Sequence, residues 1–280
     1  MFKKLNFFNA FLKIKLLSER WTLVTNLRRY KLRFSHPFFP FIKFLVPLIK
    51  LFTSNVPPFF LSAIYSGNAV KCLCCGWAGK KFLISGDSER KCPNCGAIER
   101  DRLMYLFLQS RYDFFHRKLK ILDIGPSIFI QDHLSSFKSF DYISIDLYNR
   151  LMIVQMDVTK MTFPDTNFDI ILCSNVLEHI KNDVKAISEI YRVLKPGGFA
   201  LILVPIGGEK TFEDPTIPPE KYAEYYGCAH HVRLYGLDIK EKLTLLGFKV
   251  KIEYFGNNLS QNFIEKYGLN KNEIFFIALK

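Results

Sequence analysis

From Lys120 to the end of the chain, short apolar runs recur at intervals filled by stretches with helical period. Residues 120–125 (KILDIG), 142–147 (YISIDL), 154–158 (VQMDV), 168–173 (FDIILC) and 200–205 (ALILVP) have the length of buried strands. The pattern then predicts a helix over 237–246 and two last strands, 249–255 and 274–279. No long helix is evident between those two, so they are expected to form an antiparallel hairpin at one edge. Alternation of this kind predicts an α/β fold with a doubly wound, mostly parallel sheet.

The first 70 residues follow a different pattern. Phe7, Phe11 and Ile14 fall on one helical face with Asn6, Asn9 and Lys13 opposite, and a second apolar stretch carries Lys43 and Lys50 on one side. That is the pattern of an amphipathic helix lying on a surface, either a membrane or the protein's own body. Neither stretch has the form of a membrane span. Lys43, Pro47 and Lys50 interrupt 37–52, and 51–70 carries Ser54, Asn55, Pro57, Pro58, Ser62, Ser66 and Asn68. Lys13 and Lys15 break the run behind Lys3 and Lys4 without a small-residue cleavage pattern, which argues against export. The expected location is cytoplasmic, with peripheral membrane contact through residues 1–65.

Charge sharpens this division. Of 39 Lys+Arg and 26 Asp+Glu, residues 1–71 hold 12 basic residues and one acid, Glu19, so +11 of the net +13 lies at the front. A nucleic-acid-binding domain would carry its charge on the folded body, so nucleic acid is the less favoured partner. The 280 residues are 49% hydrophobic, enough for one sizeable core and too apolar for a disordered chain.

Four of the seven cysteines form two Cys-x-x-Cys-Gly knuckles, Cys72 to Cys75 and Cys92 to Cys95. Four thiolates at this spacing suit a tetrahedral zinc ion, and a filled shell makes the zinc structural. Cys74, inside the first knuckle, is a possible competitor. The chain is therefore divided into a basic amphipathic extension (1–70), a zinc ribbon (71–97) and an α/β domain (98–280).

Ligands of open α/β sheets bind beyond the carboxyl ends of the strands. Asp123 and Gly125 end the first run, where a glycine lets the backbone approach a ligand. Asp146 ends the second, suited to a ribose, and Asp157 ends the third, suited to an adenine amino group. Together these positions predict a nucleoside site. A nicotinamide cofactor is disfavoured because Gly-x-Gly-x-x-Gly is missing at the first turn.

The series LDIG (122–125), IDL (145–147), MDV (156–158), FDIILCSNVLEHI (168–180) and RVLKPGG (192–198) resembles class I S-adenosylmethionine (SAM)-dependent methyltransferases of the type 11 group, over about residues 118–280. The ribbon running into GAIERDRL (96–103) is similar to a bacterial subgroup with that module in front. The resemblance implies a Rossmann-like seven-stranded sheet and SAM as cofactor. It places Asp123 and Gly125 at the methionine end, Asp146 on the ribose, Asp157 and Val158 beside the adenine, and Ser174 and Asn175 against the cofactor. The chain departs from the family at Gly125-Pro126-Ser127-Ile128-Phe129, which keeps one glycine of the usual loop, so side chains at 127 and 129 are expected to crowd the cofactor.

Methyl transfer needs an oriented nucleophile, exclusion of water and sometimes a base. His231 is the first candidate base and His179, next to Glu178, the second. Tyr226, Arg233 and Tyr235 are candidate substrate contacts, with Arg233 equally able to pin its loop to the body. They lie in the 207–235 connection, which is too long for a structureless loop and is expected to cover the acceptor pocket. The reading is methyl transfer to an O or N nucleophile of a small-molecule, glycan or lipid-linked acceptor. Its rivals are an RNA or protein methyltransferase and a non-catalytic, zinc-stabilised binding protein.

Overall fold

Two-residue periodicity in the central strands sorts their apolar side chains onto two faces. In β8 (Phe168–Ser174), Ile170 and Leu172 join one buried cluster and Ile171 and Cys173 the other. In β9 (Leu194–Leu203), Leu201 and Leu203 go one way and Ala200 and Ile202 the other. Strands buried on both faces need helices on both, and the sequence supplies them. Helix α2 (Glu99–Ser110) contributes Leu103, Met104, Phe107 and Leu108 to the first layer, joined by Phe129, Ile130 and Leu134 of α3 (Ile128–Ser135). Helix α4 (Asp183–Val193) sets Ala186, Ile187, Ile190 and Val193 against the second, with Ile239 and Leu243 of α6 (Ile239–Leu245).

This computed structural model describes residues 58–85, 89–111, 114–148 and 153–280. The chain divides into two compact units, Met1–Ser66 and Gly67–Lys280. In the first, the described part is one short helix, α1 (Pro58–Ile64). The amphipathic faces expected at Phe7, Phe11, Ile14, Lys43 and Lys50 lie outside the described residues. Among the described residues no helix is long and apolar enough to cross a membrane.

The second unit centres on a seven-stranded sheet in the order β12, β13, β9, β8, β5, β6, β7. The other members are β5 (Leu119–Ile124), β6 (Phe140–Asp146), β7 (Val154–Gln155), β12 (Lys249–Glu253) and β13 (Phe275–Leu279). Every pair is parallel except those made by β13, which runs antiparallel to both β9 and β12. The sheet is Rossmann-like and mixed. The last two strands do pair antiparallel, yet β13 is inserted between β12 and β9 and only β12 forms the edge. A helix, α7 (Gln261–Tyr267), connects them. The 195–198 turn (KPGG) belongs to β9 itself: Phe168 pairs with Leu194 and Ile170 with Phe199, a register jump bulging around Gly197 at φ +79°.

In the ribbon, β1 (Ser66–Lys71) pairs with β2 (Ala78–Gly79), and β3 (Leu83–Ser85) with β4 (Glu89–Lys91). The ribbon packs as part of the same core, since Cys72, Cys74 and Cys92 lie in the cluster that holds α2. Arg102 fastens the two together. Fully buried, it donates to the carbonyl oxygens of Ala97, Arg90, Tyr267 and Gly268 and lies 4.1 Å over the Phe82 ring.

Candidate functional site

The strand order reverses between β5 and β8. From β5 the chain builds outward through β6 and β7, then returns to lay β8 along the other side of β5. Their carboxyl ends lead into loops on opposite faces and leave a crevice, the usual ligand position in such sheets. Gly125 follows β5 at φ +63°, its N–H donating to Ile145 O at 2.8 Å. A Cβ there would stand 2.7 Å from Val176 Cγ2 and 3.7 Å from Asp146 Oδ2, so the fold brings the Asp146 carboxylate, Gly125 and the β8 loop together at one point. Asp146 accepts from the Tyr148 N–H through Oδ1 at 2.7 Å.

Across the crevice, Ser174 ends β8 and Asn175 adopts φ +55°, its N–H donating to Leu203 O at 2.9 Å. A left-handed conformation in a non-glycine residue costs about 1–2 kcal/mol and here turns the chain back over the strand ends. Ser174 Oγ is buried with no hydrogen-bond partner among the described residues. Buried hydroxyls are almost always paired, so an orphan at the switch point marks a place that a polar ligand group can complete.

Two other expected cofactor contacts differ from the sequence reading. The third strand ends at Gln155, and Asp157 instead caps a 3-10 turn, Val158–Lys160, with Oδ1 accepting from Thr159 N and Oγ1 at 2.8 Å each. These bonds from Thr159 hold its carboxyl below the usual range, and Val158 is buried behind it. Asp123 is buried within the sheet near the carboxyl end of β5. It is 2% exposed and accepts from Tyr142 Oη at 3.0 Å, because its side chain shares a sheet face with the β6 tyrosine. The crowding expected at 127 and 129 is absent as well. Phe129 turns into the core and stacks on His133, and Ser127 caps α3 by accepting from Ile130 N.

Burial pushes the Asp123 carboxyl up to about 7, eased by the Tyr142 bond and reinforced by Asp101. A carboxyl with a raised folded pKa holds its proton more tightly when folded. Its contribution is therefore most favourable below about pH 4 and is lost as pH rises toward 7. Asp123→Asn should remove that dependence. Urea unfolding from about pH 5 to about pH 8 should show the variant gaining on wild type by on the order of 1 kcal/mol per pH unit, levelling above pH 7. A constant difference would mean that Asp123 stays ionised.

Beyond β8, the turn Leu177–His179 meets the connection that follows β9. That connection is ordered by β10 (Ile206–Gly208) pairing with β11 (Tyr235–Gly236), by a Phe212–Leu234 bridge and by helix α5 (Tyr222–Tyr226). It closes onto the turn through Val232 N–H to Glu178 O at 2.9 Å. Arg233 is 1% exposed, and its donors are engaged by Glu213 (both oxygens), Leu177 O, Ile180 O and Lys181 O. A guanidinium has five N–H donors, so none is left for a substrate, and the substrate role gives way to pinning the connection. Tyr226 and Tyr235 are buried too. Tyr226 Oη bridges Asp214 N–H and O at 3.1 Å, and Tyr235 Oη donates to Asp183 at 2.6 Å, so their hydroxyls serve the protein's own frame.

The turn and the connection bring Glu178, His179 and His231 together, with one donor atom of each within 4.8 Å of the others. Glu178 is 1% exposed and neither carboxylate oxygen has a partner in another described residue. Burial pushes its carboxyl up to about 7, and burial pushes His231 down. Arg100 of α2 lies near enough to favour the Glu178 carboxylate, and Asp101 beside it is buried and accepts from Ile98 N at 3.0 Å. The sequence signal for both is the charged run 99–102 that opens an apolar helix.

The comparisons bear on the stretch that carries most of these residues. Residues 136–202 match the model of a methyltransferase domain family. Over 75 residues the chain is 33% identical to a ubiquinone/menaquinone biosynthesis C-methyltransferase, UbiE, of Coxiella burnetii, covering 27% of each protein. It is 35% identical over 74 residues to the Psychromonas ingrahamii protein of that name, covering 26% of this chain and 27% of the relative. The chain thus spans about a quarter of the length of these relatives. A SAM-dependent methyltransferase structure from Archaeoglobus fulgidus superposes with a TM-score of 0.46 at 21% identity, over 64% of this chain and 93% of that one.

At the ribbon the four knuckle sulfurs lie within 4.8 Å of one another, with Cys72 to Cys95 at 3.7 Å and Cys75 to Cys92 at 3.8 Å. Zinc–sulfur bonds of about 2.3 Å in a tetrahedron put sulfurs about 3.8 Å apart, so the spacing fits that ion. The two knuckles share one backbone pattern: Cys72 N to Trp77 O and Gly76 N to Cys72 O, repeated as Cys92 N to Ala97 O and Gly96 N to Cys92 O. Gly76 and Gly96 make the turn at φ +72° and +78°. Cys74 packs into the core instead of joining the four.

Proposed function

We propose that this protein transfers the methyl group of SAM to an O or N nucleophile of a small-molecule, glycan or lipid-linked acceptor, releasing S-adenosylhomocysteine. The observation that carries the reading is the Ser174 Oγ at the end of β8, buried without a partner among the described residues, at the switch point where Gly125 and Asp146 also meet and within the segment that matches a methyltransferase domain. Asp146 would accept the ribose hydroxyls, Gly125 would admit the methionine end, Ser174 and Asn175 would close on the cofactor, and Val158 with Asp157 Oδ2 would flank the adenine. SAM supplies an electrophilic methyl, so the chain's own task is to orient the acceptor, exclude water and receive a proton where one is lost. Glu178, His179 and His231 would serve the acceptor. Cys72, Cys75, Cys92 and Cys95 would hold a structural zinc that fixes the start of α2.

Asp146→Ala should weaken SAM binding by about 10-fold or more, since a buried ribose loses a charged acceptor. Equilibrium dialysis with labelled SAM checks this, and unchanged affinity in the folded variant would overturn the assignment. A carbon acceptor is the second reading, favoured by the C-methyltransferase names of the relatives. Incubating labelled SAM with cell extract and locating the methyl in the product separates carbon from O or N acceptors.

A further inference from the structure

Glu178 is an expensive feature. Two carboxylate oxygens are buried at 1% exposure without a hydrogen bond to any other described residue, whereas a buried charge normally requires a partner or an ion. Arg100 and Arg233 lie near enough to favour its carboxylate without bonding to it, and the two histidines beside it are arranged to supply lone pairs. His179 Nδ1 lies 3.0 Å from His230 O, and His231 Nδ1 lies 3.2 Å from Tyr226 O. A carbonyl can only accept, so each Nδ1 carries the proton and each neutral ring keeps its free lone pair on Nε2. His231 Nε2 stands 4.0 Å from Glu178 Oε1, the two rings meet edge to face at 4.7 Å, and one donor atom from each of the three residues falls within a 4.8 Å span. An imidazole whose other nitrogen is tied to a backbone carbonyl is the usual arrangement of a metal-ligating histidine.

We propose that Glu178, His179 and His231 bind a divalent transition-metal ion of the zinc, iron or cobalt class at the acceptor side of the crevice, a site separate from the four sulfurs. Two imidazoles and one carboxylate form a borderline donor set that suits these ions better than magnesium or calcium. Ligands about 2.1 Å from one ion stand about 3.0–3.4 Å apart, so the three groups close by roughly an ångström on binding. The exposed His179 ring has room to do so. Three protein ligands leave at least one position open, and an acceptor hydroxyl can occupy it. The O–H proton passes to solvent as the oxygen binds the ion. The oxygen lone pair then forms the O–CH3 bond while the C–S bond breaks, its electrons returning to sulfur to give neutral S-adenosylhomocysteine. This step rests on the proposed methyl transfer, whereas the metal site itself does not.

The test is cobalt titration of the full-length protein with its ribbon zinc in place, followed by calorimetry and visible absorption. The expected result is one additional ion per chain, with the weak d–d bands of nitrogen and oxygen ligands and no thiolate-to-cobalt charge transfer. Glu178→Gln, His179→Ala and His231→Ala should each weaken that binding by about 10-fold or more while circular dichroism and ribbon zinc stay unchanged. Failure of the wild type to bind beyond the sulfur site, or equal binding by the variants, would overturn the proposal. SAM titration of the same samples separates the two readings. Cobalt binding without SAM binding keeps the metal site and removes the methyl-transfer role, and SAM binding without cobalt removes the metal site while leaving His231 as a base.

Discussion

If the four knuckle sulfurs hold the proposed zinc, changing Cys92 and Cys95 together to alanine is expected to release it and lower the stability of the whole second unit by about 5 kcal/mol or more. Zinc knuckles of this kind draw apparent binding free energies of about 10–16 kcal/mol, nearly all of which is folding free energy. The loss should spread because the ribbon is not an appendage. Cys72, Cys74 and Cys92 share a buried cluster with α2, and Arg90 holds Glu99 at the first turn of that helix through two side-chain bonds of 2.6 and 3.0 Å. Without the metal, Arg102 loses the frame that presents the Arg90 and Ala97 carbonyls to it. Zinc release on thiol titration, read beside thermal unfolding, measures both effects. Retained sulfur-bound zinc with an unchanged melting temperature would remove the structural role.

Arg233→Met should cost about 3–5 kcal/mol, the usual penalty for breaking a buried ion pair from one side. The variant leaves Asp183, 3.7 Å away, and Glu213 without their guanidinium, and three carbonyls of residues 177–181 without their donor. Lys242 still reaches Asp183 at 2.6 Å, so part of that charge stays compensated. For a unit of this size the loss corresponds to a fall of roughly 10 °C in melting temperature. A residue that oriented an acidic substrate group would behave differently, with stability intact and only KM raised. Thermal unfolding beside steady-state kinetics with the acceptor distinguishes the two.

The strands and their order of use were legible because their side chains alternate between two buried faces, a property local to each run. The corner proposed for the cofactor draws on the same property: Gly125, Asp146 and Ser174 are defined by where runs end, and run ends survive small errors of boundary. Asp157 was displaced because the short strand stops at Gln155, where Thr159 offers Asp157 a local cap that competes with strand pairing. The missing glycines of the loop after β5 do not determine where Phe129 goes, since an aromatic ring with a core to enter turns inward. Arg233 and Tyr235 could not be resolved from sequence, since their partners at 177–183 and 213 are brought to them only by the folded connection. Glu178 shows the same limit in reverse. Its position after β8 was visible, but burial without a partner among the described residues is a property of the assembled fold and of no local pattern.

Calorimetric titration of the full-length protein with SAM tests most directly whether the β5–β8 crevice holds SAM. The expected result is saturable binding of one SAM per chain, displaced by S-adenosylhomocysteine and not by NAD. Absence of binding by protein that retains its cooperative unfolding transition would contradict that reading.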